Sequence, residues 1–96
     1  GEEADFWVLR AYSQRKAGDI ESSRASYLKA LEIDPAHIRG RNYFGYLHLT
    51  IGDIAGAEAQ LAFLEALCPA GCAERDDLAK AIEDYKFGDP YDGLKY

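Results

Sequence analysis

The residues with the most distinctive chemistry in this sequence are its two cysteines, Cys68 and Cys72. The three residues between them, Pro-Ala-Gly, indicate a turn. A turn of this length can bring two α-carbons within the distance that a disulfide requires. A Cys68–Cys72 disulfide is therefore one interpretation, and two buried or half-buried free thiols are a second.

A functional site is the third interpretation of the cysteines. If Cys72 begins a helix, the helix dipole favours its thiolate, and a thiolate pair suits thiol exchange or the binding of Cu(I) or Zn(II). A zinc site needs four ligands, however, and His37 and His48 lie on a different predicted helix, where we expect surface or packing roles. A redox or soft-metal module, for copper or zinc, that uses Cys68 and Cys72 is thus the alternative function. We predict no metal site and no cofactor.

The state of the cysteines also bears on where the protein resides. Disulfides form in oxidising compartments, so a Cys68–Cys72 bridge predicts an exported protein, for example a periplasmic one. Free thiols would instead indicate the cytoplasm, which is the alternative.

No group of residues in the sequence predicts catalysis. Histidine is scarce, and no serine or cysteine is tied by spacing to a base and an orienting group. Adjacent acids such as Asp76 and Asp77 point about 100° apart on a helix, so they do not face each other. Gly40 and Gly45 lack the Lys-Ser/Thr that follows a phosphate-binding loop. We therefore predict that the protein is not an enzyme.

The charge distribution argues against two classes of partner. The net charge is −6 and no basic run is present, whereas nucleic-acid binding depends on a concentrated basic surface. The apolar runs are only a few residues long, too short to cross a bilayer. We therefore predict a protein or peptide partner, with no nucleic acid and no membrane insertion.

An internal repeat indicates which elements hold these residues. Gly18-Asp19-Ile20 returns as Gly52-Asp53-Ile54, and Pro35 returns as Pro69, in each case 34 residues later. A period near 34 is typical of a helix–turn–helix unit that buries its apolar face only by stacking on a neighbour. The glycines fit left-handed helix ends, and Asp19 and Asp53 fit helix N-caps.

Helical spacing of apolar residues, with prolines and glycines as stops, predicts five helices. They cover, approximately, residues 4–17, 19–33, 37–51, 53–67 and 72–86. Leu28 and Ile51 are among the apolar residues expected to face inward.

These residues resemble the tetratricopeptide repeat. In a first repeat, residues 4–37, the matching residues are Trp7, Ala11, Gly18, Asp19, Ile20, Tyr27, Ala30 and Pro35. In a second, residues 38–71, they are Phe44, Gly45, Gly52, Asp53, Ile54, Ala57, Leu61 and Pro69. The turn Cys-Pro-Ala-Gly-Cys before a charged helix also resembles small exported bacterial repeat proteins.

The resemblance implies an all-α fold in a single domain, residues 1–96. This fold is an α-solenoid of antiparallel helix hairpins, stacked as a right-handed superhelix of about five helices. Residues 72–86 would form the capping helix and residues 87–96 an irregular tail. Small residues such as Ala11 and Gly45 would let two helices approach closely.

Four residues depart from the family's usual pattern: Arg10, Gln14, Ser23 and Arg41. Arg10 and Gln14 lie in the first repeat, which has no repeat before it in this sequence. They indicate either an exposed edge or a place where a preceding repeat or a partner docks.

The resemblance also implies a concave surface, lined by the first helix of each hairpin, that binds a peptide or partner segment. The third helix carries Arg39 and Arg41 but no acid, which predicts a groove that is basic and aromatic at one end and acidic toward the fifth helix. The expected concave positions also include Val8 and Leu49. The peptide-binding residues predicted are Tyr12, Arg15, Lys16, Arg39, Asn42 and Tyr46. In the alternative interpretation the tyrosines only pack between helices and the arginines are solvated.

The last ten residues are unusually apolar for an irregular segment, with Phe87, Tyr91, Leu94 and Tyr96. They are expected to pack on the fifth helix, or alternatively to lie in the groove of a neighbouring molecule. The alternative partner is therefore a second copy, as a homo-oligomer through the repeat edge or this tail.

Overall fold

The computed structural model describes residues 1–88, and five α-helices account for most of them. The helices are α1 (Glu2–Lys16), α2 (Ile20–Ile33), α3 (Ile38–Thr50), α4 (Ile54–Leu67) and α5 (Ala73–Lys86). This confirms the all-α stack of helix hairpins. Tyr91, Leu94 and Tyr96 of the predicted tail lie outside the described residues.

The two Gly-Asp turns have the predicted geometry. Gly18 and Gly52 take positive φ angles of 85° and 77°, a conformation that glycine adopts without steric cost. The Asp19 carboxylate accepts a hydrogen bond from the Ser22 amide at 3.4 Å. The equivalent residue, Asp53, accepts from the Gly56 amide at 2.9 Å. Each turn thus ends one helix and caps the next within three residues, which keeps both hairpins tight.

Polar bonds hold α1 against α2 in the first hairpin. The buried Ser23 hydroxyl donates to the Ala11 carbonyl at 2.7 Å, and the Ser26 hydroxyl donates to the Gln14 side chain at 2.6 Å. Ala11 is fully buried at this crossing. Two of the departures from the family pattern, Ser23 and Gln14, therefore each take part in one of these bonds, Ser23 as the donor and Gln14 as the acceptor.

Two apolar cores share α3. The first contains Val8, Ala11, Tyr27, Ala30, Leu31, Phe44 and Leu47. The second contains Tyr46, Leu49, Ala57, Leu64, Leu78, Ala81 and Ile82. Tyr43 packs against both, so α3 joins the two cores into one stack.

Two inward-facing predictions were wrong. Leu28 is 54% exposed and Ile51 is 46% exposed. Leu28 follows the fully buried Tyr27, and one residue turns a helix surface by about 100°, away from the core. Ile51 lies just beyond the end of α3, where the chain has already turned toward Gly52.

Gly45 lets α5 approach α3 closely. A Cβ atom on Gly45 would lie only 2.6 Å from a methyl carbon of Leu78, which is itself fully buried. The predicted role of Gly45 as a close-approach residue is confirmed, and the second core depends on it because Leu78 occupies the space that a side chain would fill.

Two further links hold α5 in place. Cys68 at the end of α4 and Cys72 at the start of α5 form a disulfide, with their Cα atoms 6.0 Å apart. This agrees with the first interpretation of the cysteines. The Asn42 side chain donates to the Glu74 carbonyl in the first turn of α5 at 2.8 Å.

His48 lies inside the stack, as a packing residue. Its ring lies 4.4 Å from the Phe44 ring, and its Nδ1 atom lies 3.2 Å from the Asp53 carboxylate that caps α4. Burial lowers the pKa of His48, and the neighbouring Asp53 opposes this shift. The amide of Gly56, together with His48, lowers the pKa of Asp53.

We expect reduction of the disulfide to lower the free energy of unfolding by ~2 kcal/mol, because the bridge restricts the unfolded chain over a very short loop. Chemical denaturation with and without a reductant measures this difference. The Cys68→Ser/Cys72→Ser double variant should match the reduced protein and should not respond to reductant. Equal denaturation midpoints for oxidised and reduced wild type would contradict a stabilising bridge.

We also expect stability to fall as the pH drops below about 6.5, the ordinary value for histidine. Because folding lowers the pKa of His48, the unfolded chain binds the proton more readily. The contribution of His48 is therefore complete above about 6.5 and is lost as the pH falls toward its folded pKa. The pKa values of Asp5 and Asp53 are also lowered by folding, so a further loss is expected below about 4.

Denaturation midpoints measured across this pH range test the expectation. The His48→Gln variant should lose the decline that begins near 6.5, while the His37→Gln variant should keep it. If His48→Gln declined as wild type does, His48 would not be the responsible group.

Candidate functional site

A groove runs between α1, α3 and α5. It contains two adjoining hollows of about 330 and 260 Å³, which share Arg39 and Glu74 as lining residues. Asp5, Val8, Leu9 and His37 complete the lining of the first, and Asn42, Tyr43, Tyr46, Ala73 and Asp77 that of the second. The first helix of each hairpin therefore lines this surface together with α5.

The charges of the groove are arranged around Arg39. Its side chain is exposed, while the acids Glu74 and Asp77 belong to the same hollow on the α5 side. A ligand there meets one cation from α3 and two carboxylates from α5. A negative group therefore has a favourable position next to Arg39 and an unfavourable one toward α5.

The six predicted groove residues differ in how open they are to a partner. Arg39 is exposed, and Tyr12 and Lys16 are half-buried. Arg15, Asn42 and Tyr46 are only 5%, 4% and 4% exposed. Val8 and Leu49, expected at concave positions, are each 1% exposed and belong to the cores. The surface that a partner can reach therefore includes fewer residues than the prediction named.

A row of three tyrosines forms the wall of the groove along α1 and α3. The ring centroids of Tyr12 and Tyr43 lie 5.1 Å apart, and those of Tyr43 and Tyr46 lie 6.5 Å apart. The Arg15 guanidinium lies 5.6 Å from the Tyr12 ring and 5.9 Å from the Tyr46 ring. The Lys16 ammonium lies 5.5 Å from the Tyr12 ring. The cations at the end of α1 therefore stack on the tyrosines, which orders this wall.

Tyr43 is a groove residue that sequence reasoning missed. Its spacing in the sequence indicates this role, because Arg39, Tyr43 and Tyr46 follow one another at intervals of four and three residues on α3. Residues at these intervals share one helix face. The prediction named the first and third of these residues and passed over the one between them.

Asn42 joins the Tyr46 end of the groove wall to α5. The Asn42 amide donates to the Glu74 carbonyl at 2.8 Å and to the Tyr46 hydroxyl at 3.3 Å. Both donor hydrogens of this amide therefore have acceptors within the chain. Asn42 holds α5 beside α3 and so sets the width of the groove.

His37 and Asp5 lie together at the mouth of the groove. The Nδ1 atom of His37 accepts a hydrogen bond from the Gly40 amide at 2.9 Å, which caps α3. The Nε2 atom lies 2.6 Å from the Asp5 carboxylate, where it acts as the donor. This bond from His37 lowers the pKa of Asp5. The pair links the start of α1 to the start of α3 and leaves Arg39 as the exposed cation beside it.

The structure does not favour the redox or soft-metal alternative, since both thiols of Cys68 and Cys72 are used in the disulfide. Within residues 1–88, no three His, Cys, Asp or Glu side chains come together in a group that could hold a metal ion. Over the same residues, no helix has the length and apolar character needed to cross a membrane.

Comparison with known proteins supports the repeat. The family model described as "Tetratricopeptide repeat" matches residues 4–37, the boundaries predicted for the first repeat. The chain matches no curated protein and no solved structure closely enough to be called similar. Repeats of this family generally mediate protein–protein interaction. Residues 4–37 thus match a tetratricopeptide repeat, and the second hairpin, α3 and α4, repeats the turn and cap geometry of the matched one.

Proposed function

We propose that the protein is an interaction module, a scaffold or adaptor, that binds a peptide or partner segment in the groove between α1, α3 and α5. The observation that carries this proposal is the pair of hollows that meet at Arg39 and Glu74. An extended segment crossing both hollows passes the exposed Arg39 side chain, and the tyrosine row lies alongside the second hollow.

The lining suggests a segment with both apolar and acidic side chains. Arg39 offers a guanidinium to a carboxylate, and the half-buried rings of Tyr12 and Tyr43 offer apolar surface. Arginine and tyrosine are common among the residues that dominate binding energy at interfaces. Glu74 and Asp77 repel acids on the α5 side, which supports a single orientation of the bound segment.

The buried members of the predicted set support binding indirectly. Arg15, Asn42 and Tyr46 hold the tyrosine row and α5 at fixed positions. A groove that is already formed loses little conformational freedom when a ligand binds. The disulfide beside α5 supports an oxidising compartment, such as a periplasm, as the place where this protein acts.

We expect Arg39→Ala to weaken ligand binding about tenfold, the loss of ~1.4 kcal/mol for one charged anchor. The ligands are peptides selected from a random displayed library on the immobilised, disulfide-intact protein. Affinities of the selected peptides for wild type and variant are then measured by fluorescence anisotropy. We also expect the selected peptides to contain an acid next to apolar residues.

Arg24→Ala is the matched control, because Arg24 is also exposed but lies on α2, away from the groove. It removes the same charge and should leave peptide affinity unchanged. If the library yielded no binders, or if Arg39→Ala and Arg24→Ala bound the selected peptides equally well, the proposed groove function would be wrong.

A further inference from the structure

The outer face of the first hairpin, turned away from α3, is a second open surface. Two hollows of about 460 and 360 Å³ lie on it and meet at Arg10 and Gln14. We call it the N-terminal face; its lining residues are Phe6, Trp7, Leu9, Arg10, Ser13 and Gln14 of α1 and Ser22, Ala25, Ser26 and Lys29 of α2. Phe6 and Leu9 are 55% and 58% exposed, although both are large apolar residues.

The second repeat shows what covers such a face. The residues 34 positions after Arg10 and Ser13 are Phe44 and Leu47, which are only 5% and 1% exposed. The first hairpin covers them, and the Tyr27 ring of α2 stacks on the Phe44 ring at 5.4 Å. In the second repeat, therefore, the surface that corresponds to the N-terminal face is covered by a packed helix.

The N-terminal face differs in charge from the corresponding surface of the second repeat, so a helix that covers it must differ from α2. Arg10 stands where the second repeat has Phe44, and Lys29 stands where it has Phe63. Arg10 and Lys29 are the charged residues lining the two hollows, and no carboxylate lines either one. In a protein of net charge −6, this concentration of positive charge favours an anionic partner.

We propose that the N-terminal face binds an amphipathic α-helix of a partner protein. The apolar stripe of that helix lies on Phe6 and Leu9, and its acidic flank meets Arg10 and Lys29. Arg10 is already positioned, with its guanidinium 5.6 Å from the centre of the Trp7 ring. The Phe6 and Trp7 rings support each other edge to face at 5.5 Å. This surface adjoins the groove at Leu9, which lines both, whereas Arg39 lines only the groove and Arg10 only the N-terminal face.

Trp7 provides the readout, because it is the single tryptophan of the chain and it lines the face. The probe is a capped synthetic helix of about 18 residues, with leucines at i, i+3, i+4 and i+7, flanking glutamates and no aromatic residue. A second peptide carries lysine in place of every glutamate. We expect the acidic peptide to shift Trp7 emission to shorter wavelength in a saturable way, and the basic peptide to leave it unchanged.

Variants locate the binding. Arg10→Glu should weaken the acidic peptide at least about tenfold, and Phe6→Ser should weaken it by a similar factor. Leu28→Ser is the matched control, since Leu28 is 54% exposed and lines neither hollow of this face, and it should have no effect. Arg39→Ala should also have no effect, which separates this face from the groove.

Two outcomes would overturn the proposal. The first is an acidic peptide that leaves Trp7 emission unchanged, or that binds Arg10→Glu as tightly as wild type. The second is self-association of the protein without peptide, seen by sedimentation and abolished by Phe6→Ser but not by Leu28→Ser. In that case a second copy, and not a partner helix, would occupy the face.

Discussion

The packing of α3 on two sides at once is the constraint on which the rest of the structure depends. Phe44 and Leu47 enter the first core, Tyr46 and Leu49 enter the second, and nine of its thirteen residues are buried. A helix of this length is marginal by itself in water, so its stability comes from these contacts. Because, among residues 1–88, α3 is the helix of the second hairpin that packs against α1 and α2, the shape of the groove follows from how α3 is held.

Polar residues within this packing are matched to partners rather than left to solvent. The Arg41 guanidinium donates to the Pro35 carbonyl at 3.1 Å and to Gln60 at 3.2 Å, and it stacks 3.7 Å from the centre of the Phe63 ring. Burial lowers the pKa of Arg41. An arginine where the family often has tryptophan is thus accommodated by two acceptors and an aromatic surface. The same holds for Ser23 and Gln14 in the first hairpin.

The fold could be predicted from the sequence because its signals are local. Gly18 with Asp19, and Gly52 with Asp53, mark each turn by conformational and hydrogen-bonding preferences that need no knowledge of distant contacts. The cysteine turn is equally local. The helix limits differ from the predicted ones by one or two residues at the start of each helix and by one residue at the end of α1 and of α3.

The openness of the groove could not be predicted in the same way. Asn42 and Tyr46 have the correct spacing for the concave face, but the close approach of α5 through Gly45 and Leu78 buries them. That approach depends on a contact between residues far apart in sequence. The position of Tyr43 in the groove, in contrast, can be predicted, because Tyr43 lies four residues after Arg39 and therefore on the same face of α3.

The two ends of the helix stack differ in the chemistry of their outer surfaces. The outer side of α5 carries ion pairs, Arg75 with Asp76 and Lys80 with Asp84, each at 3.0 Å, whereas the outer side of α1 presents Phe6 and Leu9. An engineer who wished to lengthen this scaffold could splice further hairpins ahead of α1 with little redesign. Adding them behind α5 would trap desolvated charges and require that helix to be rewritten.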